Sequence, residues 1–152
     1  MANVYRSLNK YVRDNLYTTE GYAVDFEGLA FDDTSVDEWI QFRILTATRE
    51  FHRQGSTTEY AHTNSLMLNF NTFVKKSGVT LTDKHYMMRD TISNYFKVGK
   101  GITMYDYVGS GTTLCEMIVR RILTDTPLPE TNELLSYNLT VECSFTEFTL
   151  NR

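Results

Sequence analysis

The stretch from Leu135 to Thr146 constrains this chain most. Leu135, Tyr137, Leu139, Val141, Cys143 and Phe145 alternate with Ser136, Asn138, Thr140, Glu142, Ser144 and Thr146. A period of two held this long predicts a strand with one face in a core and the other in water; a helix would scatter the apolar residues around its circumference. Such a strand cannot bury its apolar face alone, so the rest of the chain must supply neighbours and a covering layer. With 152 residues, 41% of them hydrophobic, there is material for one domain with a sizeable core and no internal repeat or linker.

The covering layer is predicted from two helical stretches. From Val4 to about Thr18, Val4, Leu8 and Val12 recur every fourth residue, with Tyr5, Tyr11 and Leu16 widening the stripe. Asn3 is the predicted N-cap, since its side-chain oxygen can accept a free N–H of the first turn, and Gly21 marks the end. A second helix is predicted from near Asp83, capped by Thr82, with Leu81 and Tyr86 as a hydrophobic staple and Tyr86, Met88, Ile92, Tyr95 and Phe96 as its stripe.

Strands fill the remainder. Tyr22 to Phe26 is short. An acidic loop with Glu27, Asp32, Asp33, Asp37 and Glu38 follows, and Glu38 to Thr46 is the next strand. There Ile40, Phe42 and Ile44 point one way, and Trp39, Gln41, Arg43 and Leu45 the other, so both faces carry something large. Thr48 to Ser65 is polar and aperiodic and reads as a long connection, part of it available as strand extensions. Leu66 to Val74 and Ile102 to Val108 are strands, as is Leu114 to Leu123, which a turn at Thr124 to Glu130 ends. The predicted order is α-β-β-β-α-β-β-β: an α+β fold, mostly antiparallel, with two helices packed on one side of the sheet.

Charge and motifs point away from several function classes. A net charge of −4 speaks against a dedicated nucleic-acid binder. Arg120 and Arg121 are adjacent, as are Lys75 and Lys76, but neighbours on a strand point to opposite faces. His52, His62 and His85 have no metal-ligand spacing, and each reads as a surface or packing histidine. Cys115 and Cys143 fall mid-strand on faces expected to be buried, where thiols are inert. Gly99-Lys100-Gly101 and Gly109-Ser110-Gly111 are flanked by strands rather than opening a helix, so they read as turn glycines and not phosphate loops. The expectation is a protein with no catalytic residues, no cofactor and no metal. No apolar run approaches the ~20 residues of a membrane span, and the first residues, Met-Ala-Asn-Val-Tyr-Arg, lack a signal core, so a cytoplasmic protein is expected. Trp39 shares a strand face with Arg43, and the pair reads equally as core packing or as an interface anchor.

The stretch from Tyr22 to Leu45, taken with the order of elements, resembles the tail terminator (tail completion) proteins of long-tailed bacteriophages. The residues that carry the likeness are Asp25-Phe26 closing a short strand, Phe31 in the loop, and the tryptophan-led strand Trp39-Ile40-Gln41-Phe42-Arg43. The likeness in element order covers nearly the whole chain. It implies a virion structural protein of the tail or neck, assembled in the host cytoplasm. It implies a ring, usually of six copies, that caps the tail tube, stops its growth and joins it to the head connector. The implied partners are further copies of the chain, the tail tube protein and a head-completion protein, while genomic DNA passes through the ring without specific binding. Trp39, Arg43, Phe31, Asp32 and Asp33 are then the candidate interface residues. Two other readings stand beside this one: another neck or connector protein of the same assembly, and a small-ligand-binding α+β domain.

Overall fold

The structure, a computed structural model, describes residues 2–54, 59–78, 82–107, 109 and 111–150, and for 46–47, 49–54, 59–62 and 147–150 the backbone alone. Helix α1 is Ala2–Val12, and it runs on through a widened π-helical segment, Arg13–Thr19. Strands β1 (Ala23–Phe26), β2 (Glu38–Gln54) and β3 (Glu59–Lys75) precede helix α2 (Lys84–Tyr95). Strands β4 (Gly101–Tyr105), β5 (Thr113–Pro127) and β6 (Leu134–Leu150) complete the chain. All six strands form one sheet in the order β1-β2-β3-β6-β5-β4. Only β1 and β2 pair in parallel; every other pair is antiparallel. The α+β class and the element order agree with the sequence reading.

Both helices bury their stripes against the same sheet face. Val4, Leu8, Val12 and Leu16 join Met88, Ile92 and Phe96 in one cluster with Phe42, Phe70, Leu68 and Val141 from the strands. Phe70 lies at its centre, stacked on Phe42 with centroids 5.0 Å apart and tilted against Phe96 at 4.7 Å. Tyr11 links the two helices, its ring edge-on to Phe96 and its hydroxyl donating to the Tyr95 carbonyl at 2.9 Å. Burying one such side chain contributes about 1.5–3 kcal/mol, and this cluster is what holds the helices to the sheet.

Several local expectations are corrected. Helix α1 already includes Ala2, so Asn3 lies inside its first turn and caps something else. Its Oδ1 accepts from the Tyr107 N–H at 3.0 Å, and its Nδ2 donates to Asp106. Asp83, not Thr82, is the N-cap position of α2, and it makes no side-chain cap bond. Leu81, the other half of the expected staple, lies outside the described residues, and Tyr86 is exposed at 44%. Strand β4 ends at Tyr105, and Val108 lies outside the described residues. The turn expected at Thr124 starts later, because β5 keeps pairing with β6 as far as Pro127↔Tyr137.

The largest difference is in 48–65, the expected polar connection. Most of it is strand: β2 and β3 pair continuously from Glu38↔Val74 to Gln54↔Tyr60, and β6 runs beside β3 out to Glu59↔Leu150. Backbone hydrogen bonding needs no apolar side chain, so a ribbon of mostly polar, aperiodic sequence leaves no periodic signal.

Candidate interaction surface

The sheet face away from the helices is where the candidate residues gather. Parallel pairing puts Ala23 opposite Trp39 and Asp25 opposite Gln41. Asp25 then reaches Arg43, whose Nη2 donates to the carboxylate at 2.9 Å while Nη1 donates to the carbonyls of Asp25 and Phe42, each at 2.8 Å. Arg43 and Asp25 side chains are 27% and 15% exposed, so the pair is shielded but not dry. This planar fork locks the short β1 onto β2 in a way a lysine could not copy.

Trp39 is 6% exposed. It stacks on Phe73 at 5.1 Å and is covered by Phe31 at 6.2 Å, with the Lys75 ammonium over its ring at 5.9 Å. Within the chain the tryptophan therefore packs, and Phe31 is the half-buried lid that the 27–37 loop folds over it. Asp32 and Asp33 sit exposed at the loop tip. The Asp32 carboxylate caps the 3-10 turn Asp33–Ser35 by accepting from the Thr34 N–H and hydroxyl, and these bonds hold its pKa below the ordinary value. The Asp33 carbonyl accepts from Lys75. The five candidate residues thus form two neighbouring groups: the aromatic stack with its loop, and the Asp25–Arg43 lock.

Between them and the sheet centre runs an amide and hydroxyl network that sequence reasoning missed. Gln41 accepts from Asn71 at 3.2 Å, Asn71 accepts from Asn138 at 2.6 Å, and Asn69 donates to Thr140 at 2.8 Å. The face expected to be simply wet on β6 is therefore tightly knit, and Ser136, Thr140 and Ser144 are nearly buried under their neighbours. Register alone creates this network: Asn71 stands opposite both Gln41 and Asn138.

Arg120 and Arg121 correct another expectation. A β-bulge between Val119 and Arg121 adds one residue to β5. Both arginines consequently reach the same face of β6: Arg120 donates to the Ser144 hydroxyl at 2.6 Å and Arg121 pairs with Glu142. A bulge puts two residues opposite one and so breaks the alternation.

On the helix side, Arg89 of α2 forks onto Asp125 of β5, with its Nε donating at 2.8 Å, and the Tyr137 hydroxyl donates to the same carboxylate at 2.6 Å. The Arg89 bonds hold the Asp125 carboxyl below its ordinary pKa, and burial together with the Asp125 charge pushes the Tyr137 phenol up to about 12. His85 packs at the start of α2, 6% exposed, with no hydrogen-bond partner for its buried Nδ1 among the described residues, and burial lowers its pKa. It lines a cleft of about 530 Å³ with Lys76, Tyr86, Leu128, Glu130 and Ser136. The side chains of His52 and His62 lie outside what is described. The two cysteines do not form a disulfide with each other; burial raises the Cys143 thiol to about 12, whereas Cys115 is only half-buried, contrary to expectation. Among the described residues no three His, Cys, Asp or Glu side chains converge as a metal site, and no helix is long and apolar enough to cross a membrane. Gly99 occupies the turn before β4 and Gly101 opens that strand, while Gly109 and Gly111 lie in the connection to β5; Gly99 and Gly111 have φ of +87° and +71°.

The sheet edges are treated unequally. The outer edge of β4 is closed by α1, where the Ser7 hydroxyl accepts from the Tyr105 N–H at 2.9 Å and Asn3 takes the Tyr107 N–H just beyond the strand. In contrast β1 covers β2 only from Trp39 to Phe42, and β5 covers β6 only as far as Ser144.

No family model matches the chain, and no curated protein matches its sequence. Among solved structures 17 chains match it. One of them superposes with a TM-score of 0.64 over 95% of this chain and 94% of its own, at 12% identity. A likeness at that identity is one of fold: the whole chain, from first helix to last strand, adopts an architecture that a very different sequence also adopts.

Proposed function

We propose that this chain is a tail terminator of a long-tailed bacteriophage: a virion protein that forms a ring, usually of six copies, on the end of the tail tube, stops the tube's growth and joins it to the head connector. One observation carries the reading. The residues on which the resemblance rests, scattered over 25–43 in the sequence, come together as three pairwise contacts. Asp25 holds Arg43, Phe26 meets Phe42 edge-on at 6.3 Å, and Phe31 covers Trp39. Each contact ties β1 or the loop after it to β2, as residues of a shared motif should. The face beside them is largely neutral amide and hydroxyl, with Arg121 paired to Glu142 and Arg120 bonded to the Ser144 hydroxyl, a surface that would offer passing DNA little basic footprint. The proposed partners are further copies of the chain, the tube protein and a head-completion protein, and the proposed place is the virion neck.

The test is mass in solution by light scattering, then negative-stain imaging with and without tail tubes. Rings alone or on tube ends are expected. A chain that stays monomeric and ignores tubes would remove the proposal. The cleft with the unpartnered His85 nitrogen favours the small-ligand reading as the second choice. Stabilisation of a tube-indifferent monomer by a small molecule, abolished in His85→Leu, would establish that reading instead.

A further inference from the structure

We infer that copies of this chain join edge to edge, the outer edge of β2 in one copy pairing in parallel with the outer edge of β6 in the next. The inference rests on the ring reading above and says how the ring closes. Past Phe42, among the described residues, β2 pairs with β3 alone, which leaves residues 43–54 with one open edge. Past Ser144, β6 likewise pairs with β3 alone, which leaves 145–150 open. At about 3.3 Å per residue the shorter of these edges is roughly 20 Å long. An open edge of that length is an invitation to another strand, and folded proteins normally cover it. This protein covers the edge of β4 with hydroxyl and amide side chains of α1, yet no strand covers these two.

Strand direction selects the occupant. Both β2 and β6 run antiparallel to the β3 between them, so they point the same way. A second copy turned about an axis along the strands therefore presents its β6 to the first copy's β2 in parallel. The two edges differ, so the contact is head-to-tail, and repeating the rotation closes a ring. A two-fold pair would instead join β2 to β2 antiparallel and leave both β6 edges open. The sequence charges agree: 44–54 carries Arg49 and Arg53 against Glu50, whereas 145–150 carries only Glu147. The β3–β6 ladder has no bulge, so the β6 edge is regular; β2 bulges at Leu45 and His52, and its regular residues 49–51 stand level with 145–147 of β6.

Thr48 and Thr146 are both exposed and flank the proposed seam. In the ladder Thr146 stands level with Glu50, two residues from Thr48. A bis-maleimide of about 10 Å spans that stagger across strands about 4.8 Å apart. Thr48→Cys and Thr146→Cys chains are mixed and assembled, alone or on tail tubes, and cross-linked, with the unmodified chain as the background for half-buried Cys115. The expected product is a dimer holding one of each variant. Hydrogen exchange on the unmodified chain should show amides in 44–54 and 146–150 slowed at least tenfold on assembly, a conservative figure for strand pairing. Rings whose edge amides exchange at the monomer rate, or whose cross-links join 48 to 48, overturn the seam and leave the ring reading standing. Failure to form any ring, even on tubes, removes both.

Discussion

Tyr137→Phe isolates one oxygen atom. The Tyr137 hydroxyl donates to Asp125 at 2.6 Å, and the tyrosine itself is 7% exposed, its ring edge-on to Tyr86 at 5.3 Å. Phenylalanine keeps the ring contacts and deletes the bond. A hydrogen bond to a charged group is worth about 1.5–3 kcal/mol. Asp125 keeps Arg89 and, with its side chain 30% exposed, can recruit water in place of the lost donor, so the low end applies. We expect a loss of about 1.5 kcal/mol, which a urea slope of roughly 1–3 kcal/mol per molar converts to a midpoint lower by about 0.5–1.5 M. The pH dependence has a definite sign. The folded Asp125 pKa is depressed, so the carboxylate contributes above the unfolded value of about 3.9 and its contribution fades as pH falls through the folded one. The folded Tyr137 pKa is raised to about 12, so the phenol's contribution is complete below the unfolded value and is lost as pH rises from about 10 through about 12. The gap between wild type and variant should therefore be flat across neutral pH and close at both extremes. Equal midpoints at pH 7, or a gap that persists in strong acid, would refute this account of the clamp.

Other expectations concern the core, the aromatic stack, the lock and the thiols. Phe70→Ala empties the centre of the aromatic cluster and should cost about 3–5 kcal/mol, read by urea denaturation; a loss below 1 kcal/mol would mean the helices are held some other way. Trp39→Ala leaves Phe31 and Phe73 facing a void and should cost about 3 kcal/mol or more, with ring assembly impaired in proportion; normal stability together with normal head–tail joining would contradict the packing described. Arg43→Lys should destabilise by about 1–2 kcal/mol, because a lysine cannot serve the Asp25 carboxylate and two carbonyls at once, and a midpoint equal to wild type would show the fork to be dispensable. Alkylation of the folded protein at pH 8 should label Cys115 and spare Cys143, since the buried thiol is pushed up to about 12; equal labelling by mass spectrometry would place Cys143 in a more open setting.

What local patterning could and could not reveal follows from what it records. The alternation on β6, the four-residue stripe Val4–Leu8–Val12 and the split faces of Trp39–Leu45 were legible because each element buries one face, and burial selects residue type position by position. Such patterns, with those of the second helix and the remaining strands, determined the α+β class and the order of elements. The ribbon of β2 and β3 was not legible, because its strands are held by backbone bonds that any side chain permits, β2 to the nearby β3 and β3 also to β6 about eighty to ninety residues on. The bulge that turns Arg120 and Arg121 to one face, and the register that sets Asn71 between Gln41 and Asn138, are relations between strands rather than properties of one. The same holds for β6 lying between β3 and β5, and for the parallel pairing that carries Asp25 to Arg43. Only the tertiary structure decided which edges are covered and which stay open, because an edge is defined by the strand that is missing beside it.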